Sequence, residues 1–288
     1  MDSKRKITQF LTTLLYNLHL KGLFDGTLWR GLTKGACVPG LNCYSCPAAA
    51  GSCPLGALQQ TIGSLNRRVN LLVIGTIGLY SCLLGRFICG WLCPFGLLQE
   101  LLYKIPFPAK PKSPAPVRLR WLKYVVLGVF VIAIPLGVLV AKGMGFPAFC
   151  KYICPQGTIA GTILVAAKQE YAGLIGVRFI LKWVILALII IGSVLVFRPF
   201  CTLVCPLGAI YGLFNGMALV RIRHDASACT GCGACSAACP VRIDPVTDCN
   251  GTECIRCGKC IGSCRENALN LSCGSVRIGK KETDHPKA

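Results

Sequence analysis

Four stretches of the chain lose the regular return of polar residues, at 7–24, 69–88, 121–141 and 179–197. A helix that is apolar all round needs lipid or a large core around it, and about 20 such residues cross a bilayer. The first stretch is the weakest, because His19 and Lys21 interrupt it; a span and an interfacial helix are both open. The second is broken by Asn70 and Arg86 alone. In the third, Tyr124–Ala141 is uncharged and carries Pro135 in mid-run, where a kink is expected. The fourth, Phe179–Phe197, has Lys182 near its start, able to reach outward along its own stem. The pattern predicts a mainly α membrane protein: a four-span helical bundle over residues 1–220, then a smaller unit over 221–288 in which the apolar runs cease.

Composition sharpens this picture. Of the 288 residues 53% are hydrophobic and 15% charged, with mean hydropathy +0.59, so most of the apolar surface cannot face water. Formal net charge is +20. In a soluble chain that would suggest nucleic acid, but here Lys and Arg gather beside apolar runs, where they set topology and meet anionic lipid. Residues 104–123, KIPFPAKPKSPAPVRLRWLK, form a Pro-rich basic linker expected on the cytoplasmic side, together with both chain ends. MDSKRKITQF shows no cleavable signal pattern.

The 21 cysteines carry the chemistry. Cys229, Cys232, Cys235 and Cys239 stand at C-x2-C-x2-C-x3-C before Pro240, and Cys254, Cys257, Cys260 and Cys264 repeat the spacing before Arg265. Such runs supply three thiolates from a tight loop and send the fourth to the neighbouring cluster. The expected sets are therefore Cys229, Cys232, Cys235 and Cys264 for one 4Fe-4S cluster, and Cys254, Cys257, Cys260 and Cys239 for the other. Structural zinc fits poorly, since neither run contains His and each offers a triplet plus one. The stretch resembles bacterial-type two-cluster ferredoxins, an α+β fold.

A second pattern lies in the apolar part. CPLGAL starts at Cys53, CPFGLL at Cys93, CPQGTI at Cys154 and CPLGAI at Cys205, and the last three follow Cys89, Cys150 and Cys201 by four residues. Proline after Cys suits the first helical position, which would place each thiol at a helix start. On four spans the units alternate sides, so the membrane part reads as a tandem repeat. Repeats related by an axis along the membrane normal bring equivalent loops together. That predicts one site of Cys89, Cys93, Cys201 and Cys205 at the inner edge, and an outer one of Cys150, Cys154, Cys53 and Cys46, with Cys43 or Cys37 as substitutes for Cys46. The bland alternative is packing or a redox-sensing thiol pair. Cys82 falls in mid-span, where packing is expected, and Cys249 and Cys273 are left over.

Spans, C-x3-CP units and a terminal two-cluster ferredoxin together resemble the NapH-type membrane polyferredoxins and the related modules of NosR-type regulators, over nearly the whole chain. The resemblance implies a multi-pass protein of a bacterial or archaeal inner membrane, with its ferredoxin unit in the cytoplasm. It implies single-electron relay between a cytoplasmic donor or the quinol pool and a redox partner, within a hetero-oligomeric complex. Quinone is a further candidate cofactor, and any flavin would arrive on a separate extracytoplasmic subunit. Rival readings are a redox sensor or metalloenzyme-maturation protein, or a membrane anchor for a reductase. No nucleophile triad, phosphate loop or dinucleotide fingerprint is present. His19, the one histidine in an apolar run, is expected to be structural rather than a haem ligand. Arg242, Arg256, Lys259 and Arg265 would give the tail a positive face, either toward an acidic partner such as a ferredoxin or simply solvated. Arg221 and Arg223 would hold the tail at headgroup level.

Overall fold

The computed structural model describes residues 2–64, 67–106, 116–168, 173, 176–274 and 276–278. Residues 107–115 of the Pro- and Lys-rich linker lie outside them. The protein is mostly helical. Two helices are long and apolar enough to cross a membrane: Val117–Lys142 with 26 residues and Val177–Leu195 with 19. Their outward faces carry Leu136, Val140, Ile180, Val184 and Leu188, all exposed, which is the surface lipid would cover.

The other two runs depart from the expected lengths. The first divides into Asp2–Tyr16 and Lys21–Asp25, parted where Asn17 and His19 turn the chain. The second is a 17-residue helix, Arg67–Leu83, and not a run to Ile88. Gly85, at φ +53°, turns the backbone there; a Cβ on it would stand 2.9 Å from Asn215 Oδ1. Cys82 does not pack, because its helix points it outward. Ahead of Pro135, residues Leu127–Ala133 wind as a π-helix, so the missing amide of the proline is absorbed by a wider turn.

The cysteine units fold alike. Helices Pro54–Ile62, Pro94–Tyr103, Pro155–Ala167 and Pro206–Leu213 each begin at the proline, and Cys53, Cys93, Cys154 and Cys205 are their N-cap residues in extended conformation. Proline has no amide to lose at the first helical position. The preceding cysteines Cys89, Cys150 and Cys201 sit in five-residue helical turns, Phe87–Trp91, Ala148–Tyr152 and Pro199–Leu203.

At the C-terminal end, strand β1 (Val220–His224) pairs antiparallel with β2 (Leu269–Cys273), Ile222 opposite Leu271, and β2 pairs with β3 (Val276–Ile278). Both ferredoxin-like cysteine runs lie between β1 and β2. Each run turns through a glycine at positive φ, Gly233 at +71° and Gly258 at +76°, into a short helix, Ala234–Ala237 or Lys259–Ser263.

This unit is packed into the helical part. Arg256, expected on a solvated face, is fully buried and donates to the carbonyls of Leu84 (2.9 Å) and Asn215. Trp91 Nε1 donates to the Arg256 carbonyl at 3.0 Å, and Asn215 Nδ2 donates to those of Gly251 (2.6 Å) and Cys254 (3.0 Å). Buried carbonyls need such donors, so the guanidinium fastens the unit instead of recruiting a partner. Lys259 lies over the Phe197 ring at 5.1 Å, while Arg221, Arg242 and Arg265 are exposed.

Candidate electron-transfer centres

The cysteines fall into four sets. Cys229, Cys232, Cys235 and Cys264 line one cavity of ≈ 460 Å³. Cys239 lines another with Cys254, Cys257 and Cys260, closed by Ile222, Val241 and Ile255. In both, the fourth cysteine of one run sits with the triplet of the other.

In the helical part Cys205 lies beside Cys201, Cys89 and Cys93, and all four are at most 7% exposed. Cys154 lies beside Cys150, Cys43 and Cys53, and these four line a cavity of ≈ 630 Å³ whose wall includes Cys37 but not Cys46. Cys46 packs instead against Ala48, Ala49 and Ala160. The expected outer set is thus brought together in three members, with Cys43 at the place given to Cys46. Cys37 Sγ stands 4.0 Å from Ser52 Oγ, and Cys249 Sγ donates to the Ile222 carbonyl at 3.3 Å.

Burial pushes the Cys201 thiol up to about 12, with Cys93 and Cys89 adding repulsion. Burial does the same to Cys150, about 12, and Cys53, about 11. In the ferredoxin-like unit Cys254 and Cys260 rise to about 12. These five thiols stay protonated unless a metal core supplies positive charge, and a coordinating thiol is deprotonated outright. Backbone amides already face the sulfurs: Gly157 N–H donates to Cys154 Sγ at 3.4 Å, and Gly56 and Gly208 amides serve Cys53 and Cys205. Among the described residues no three Cys, His, Asp or Glu side chains converge closely enough to grip one bare ion. Thiols spread round a shared cavity suit a cluster that brings its own sulfide. The donor sets therefore fit 4Fe-4S clusters.

Two arginines brace the inner set. Arg86 donates to the Cys201 carbonyl at 3.2 Å, and Arg198, at φ +49°, donates to the Cys89 carbonyl. Each stands three residues before its own first cysteine and reaches across to the other unit. Arg86 is paired with Glu253 of the ferredoxin-like unit at 2.9 Å, and the same carboxylate binds Lys123. Arg198 is paired with Glu100 at 2.8 Å, which also binds Arg5 at 2.7 Å. Burial opposes these charges; their partners hold Glu100 and Glu253 below the usual carboxylate range. The outer set has lysines in comparable places, Lys182 toward the Cys150 carbonyl at 3.4 Å and Lys34 toward that of Ala49 at 2.8 Å.

Sequence reasoning passed over these arginines, treating Arg86 as an interruption of a span, although R-x2-C-x3-C-P occurs twice. It also missed Gln59 and Gln99, six residues after Cys53 and Cys93, and Tyr211, which is buried among Cys89, Cys93 and Cys53 and donates to the Pro39 carbonyl at 2.8 Å. His19 Nδ1 meets the Pro47 carbonyl at 2.9 Å and the ring packs against Trp29, a structural role.

Comparison with known proteins matches these units one by one. A 4Fe-4S binding domain model matches residues 52–71, 69–114, 127–168 and 179–224, and a second 4Fe-4S binding domain model matches 222–243. The chain belongs to the NapH family of ferredoxin-type, 4Fe-4S-binding membrane proteins. It is 30% identical over 232 residues to the uncharacterized protein MJ0750 of Methanocaldococcus jannaschii, covering 76% of this chain and 86% of that one. To the ferredoxin-type protein NapH of Escherichia coli it is 27% identical, covering 76% of this chain and 74% of that one. The methylamine utilization ferredoxin-type protein MauN of Paracoccus denitrificans is 28% identical, covering 64% of this chain and 59% of that one. No solved structure matches.

Proposed function

We propose that the chain relays single electrons across a membrane through four cysteine-held 4Fe-4S clusters, in the order Cys229 set, Cys254 set, inner Cys89 set, outer Cys53 set. One observation carries this. A single hydrophobic core contains Cys257, Cys89, Cys93, Cys201, Cys205, Cys53 and Cys154, with Cys239 and Cys150 packed against it. When bound, the clusters supply one-electron oxidation and reduction, with no substrate bond made or broken.

The chain's own residues keep that route short and dry. Arg5 and Arg198 are near enough to Cys257 to act on it through their charge, and Arg198 also donates to the Cys89 carbonyl, so one guanidinium serves two sets. Between inner and outer sets stand Tyr211 and the loop at Gly40, where a Cβ would come within 3.3 Å of the Cys93 Cα. Asn42, two residues on, turns its amide to Cys53. Cys232 is exposed, which suits the Cys229 set to exchange with a soluble redox partner, such as a cytoplasmic ferredoxin. The cavity beside the outer set continues to Leu72, Val73 and Thr61, apolar surroundings in which a quinol or an extracytoplasmic flavoprotein subunit would meet it.

The four-span reading also belongs here. Helix Asp2–Tyr16, about 22 Å long at 1.5 Å per residue, carries Arg5 in its first turns beside Glu100 and ends where Ala50 donates to the Tyr16 carbonyl at 2.9 Å. Helix Arg67–Leu83 returns toward Arg256. Both run between the surroundings of the inner set and those of the outer set. The test uses sealed vesicles holding an entrapped ferricyanide acceptor, with dithionite added outside. Internal reduction by the intact chain and none by Cys201→Ser is expected. Equal internal reduction by both, or none by either, overturns the relay and leaves a tethered ferredoxin.

A further inference from the structure

Two side chains outside the cysteine sets occupy equivalent places in the repeat. Gln59 is fully buried; its Nε2 donates to Cys150 Sγ at 3.3 Å and to the Leu55 carbonyl at 3.4 Å, and its Oε1 accepts the Phe149 amide at 2.9 Å. Gln99 is also fully buried; its Nε2 donates to Cys201 Sγ at 3.0 Å and to the Phe95 carbonyl at 3.3 Å, and its Oε1 accepts the Phe200 amide at 3.1 Å. Each thus clamps the first cysteine of the opposite unit by sulfur and by the preceding amide. Both stand at C-P-x-G-x2-Q. At the matching position the other two units have Ala160 and Tyr211, so each membrane set receives one side-chain amide.

We propose that Gln59 and Gln99 are positioning residues that set the potentials of the outer and inner clusters separately, each by an N–H to one ligand sulfur. Hydrogen bonds to sulfur are a recognised determinant of cluster potential, and partners of ligands are commonly as consequential as the ligands. A donor favours the more negative, reduced state, so its loss lowers the potential. Phe149 and Phe200, the residues whose amides are held, are both buried in the core that contains the cysteines. The carbonyl of the glutamine does separate work, holding the short helical turn that presents Cys150 or Cys201. Gln→Leu removes both donor and acceptor without adding charge; Gln→Glu keeps the acceptor and, when ionised, puts a negative oxygen where the donor stood.

The inference rests on the four-cluster reading, and the test separates the two. Iron content and EPR-monitored redox titrations are measured on anaerobically purified wild type, Q59E, Q99E, Q59L and Q99L. Wild type holding about eight irons per chain, at four per cubane, refutes the underlying reading. With about sixteen irons in wild type, the expected result is full iron in Q99E and Q59E. Q99L and Q99E should each lower the potential of the inner cluster alone, and Q59L and Q59E that of the outer cluster alone, the neutral Leu variants by at least tenfold in the redox equilibrium, or about 59 mV for one electron. Unchanged potentials, equal shifts of both clusters in each single variant, or loss of four irons from both Glu variants would overturn the proposal.

Discussion

Replacing Gly90 by alanine tests how closely the ferredoxin-like unit must seat against the inner cysteine set. A Cβ there would lie 2.2 Å from the Ile255 carbonyl oxygen, and such contacts essentially never fall below 3.0 Å, so at least 3.0 − 2.2 = 0.8 Å of separation is forced. The obstacle is backbone, which cannot rotate aside. Trp91 follows Gly90, and its 3.0 Å bond to the Arg256 carbonyl would stretch toward 3.8 Å and cease to count as a hydrogen bond. Overpacking costs about 1–3 kcal/mol and a lost buried bond about 1 kcal/mol. The docking equilibrium should therefore weaken by about 2–4 kcal/mol, roughly 30- to 700-fold at 1.4 kcal/mol per decade. Hydrogen exchange of detergent-purified protein reads this at residues 252–258, whose amides should lose protection by that factor. Gly78→Ala is the control, since nothing lies within 4 Å of a Cβ there. Equal protection in the two variants would refute the reasoning.

Glu253→Gln removes the carboxylate shared by Arg86 and Lys123, both fully buried. Uncompensated buried charge costs about 3–5 kcal/mol, so a lower thermal midpoint in detergent is expected; an unchanged midpoint contradicts the network. Gly96→Ala would bring a Cβ to 3.0 Å from the Cys89 carbonyl and 3.1 Å from Arg198 Nη1, whereas at Gly157 the nearest atom is 3.6 Å away. G96A should lose inner-site iron while G157A keeps its full content, and the reverse order would contradict the packing. Cys43→Ser should lower iron by about four per chain, and Cys46→Ser should leave it unchanged; the opposite pattern would restore Cys46 to the outer set.

What the sequence made legible follows from local chemistry. The C-x2-C-x2-C-x3-C runs and the Cys-Pro helix starts are short-range patterns, and each folds as its spacing dictates. Helix lengths were harder, because apolar residues resume after Arg86 at Phe87 and Ile88 while the backbone has already turned at Gly85. Arg256 reads from sequence as one more surface charge; its burial depends on the carbonyls of Leu84 and Asn215, far away in the chain. Cys43 and Cys46 differ by three residues with no distinguishing motif, and only the fold of residues 37–53 separates them. Gln59 and Gln99 were visible in principle, through a repeat longer than the cysteine spacing alone suggested.

The most direct measurement of the central claim is iron and acid-labile sulfide per chain, on anaerobically purified protein, for wild type beside a Cys89→Ser/Cys201→Ser double variant. Four cubanes require about sixteen irons in wild type, four for each, and about twelve in the double variant. Eight in both would mean that the helical part holds no cluster and that its thiols serve packing alone.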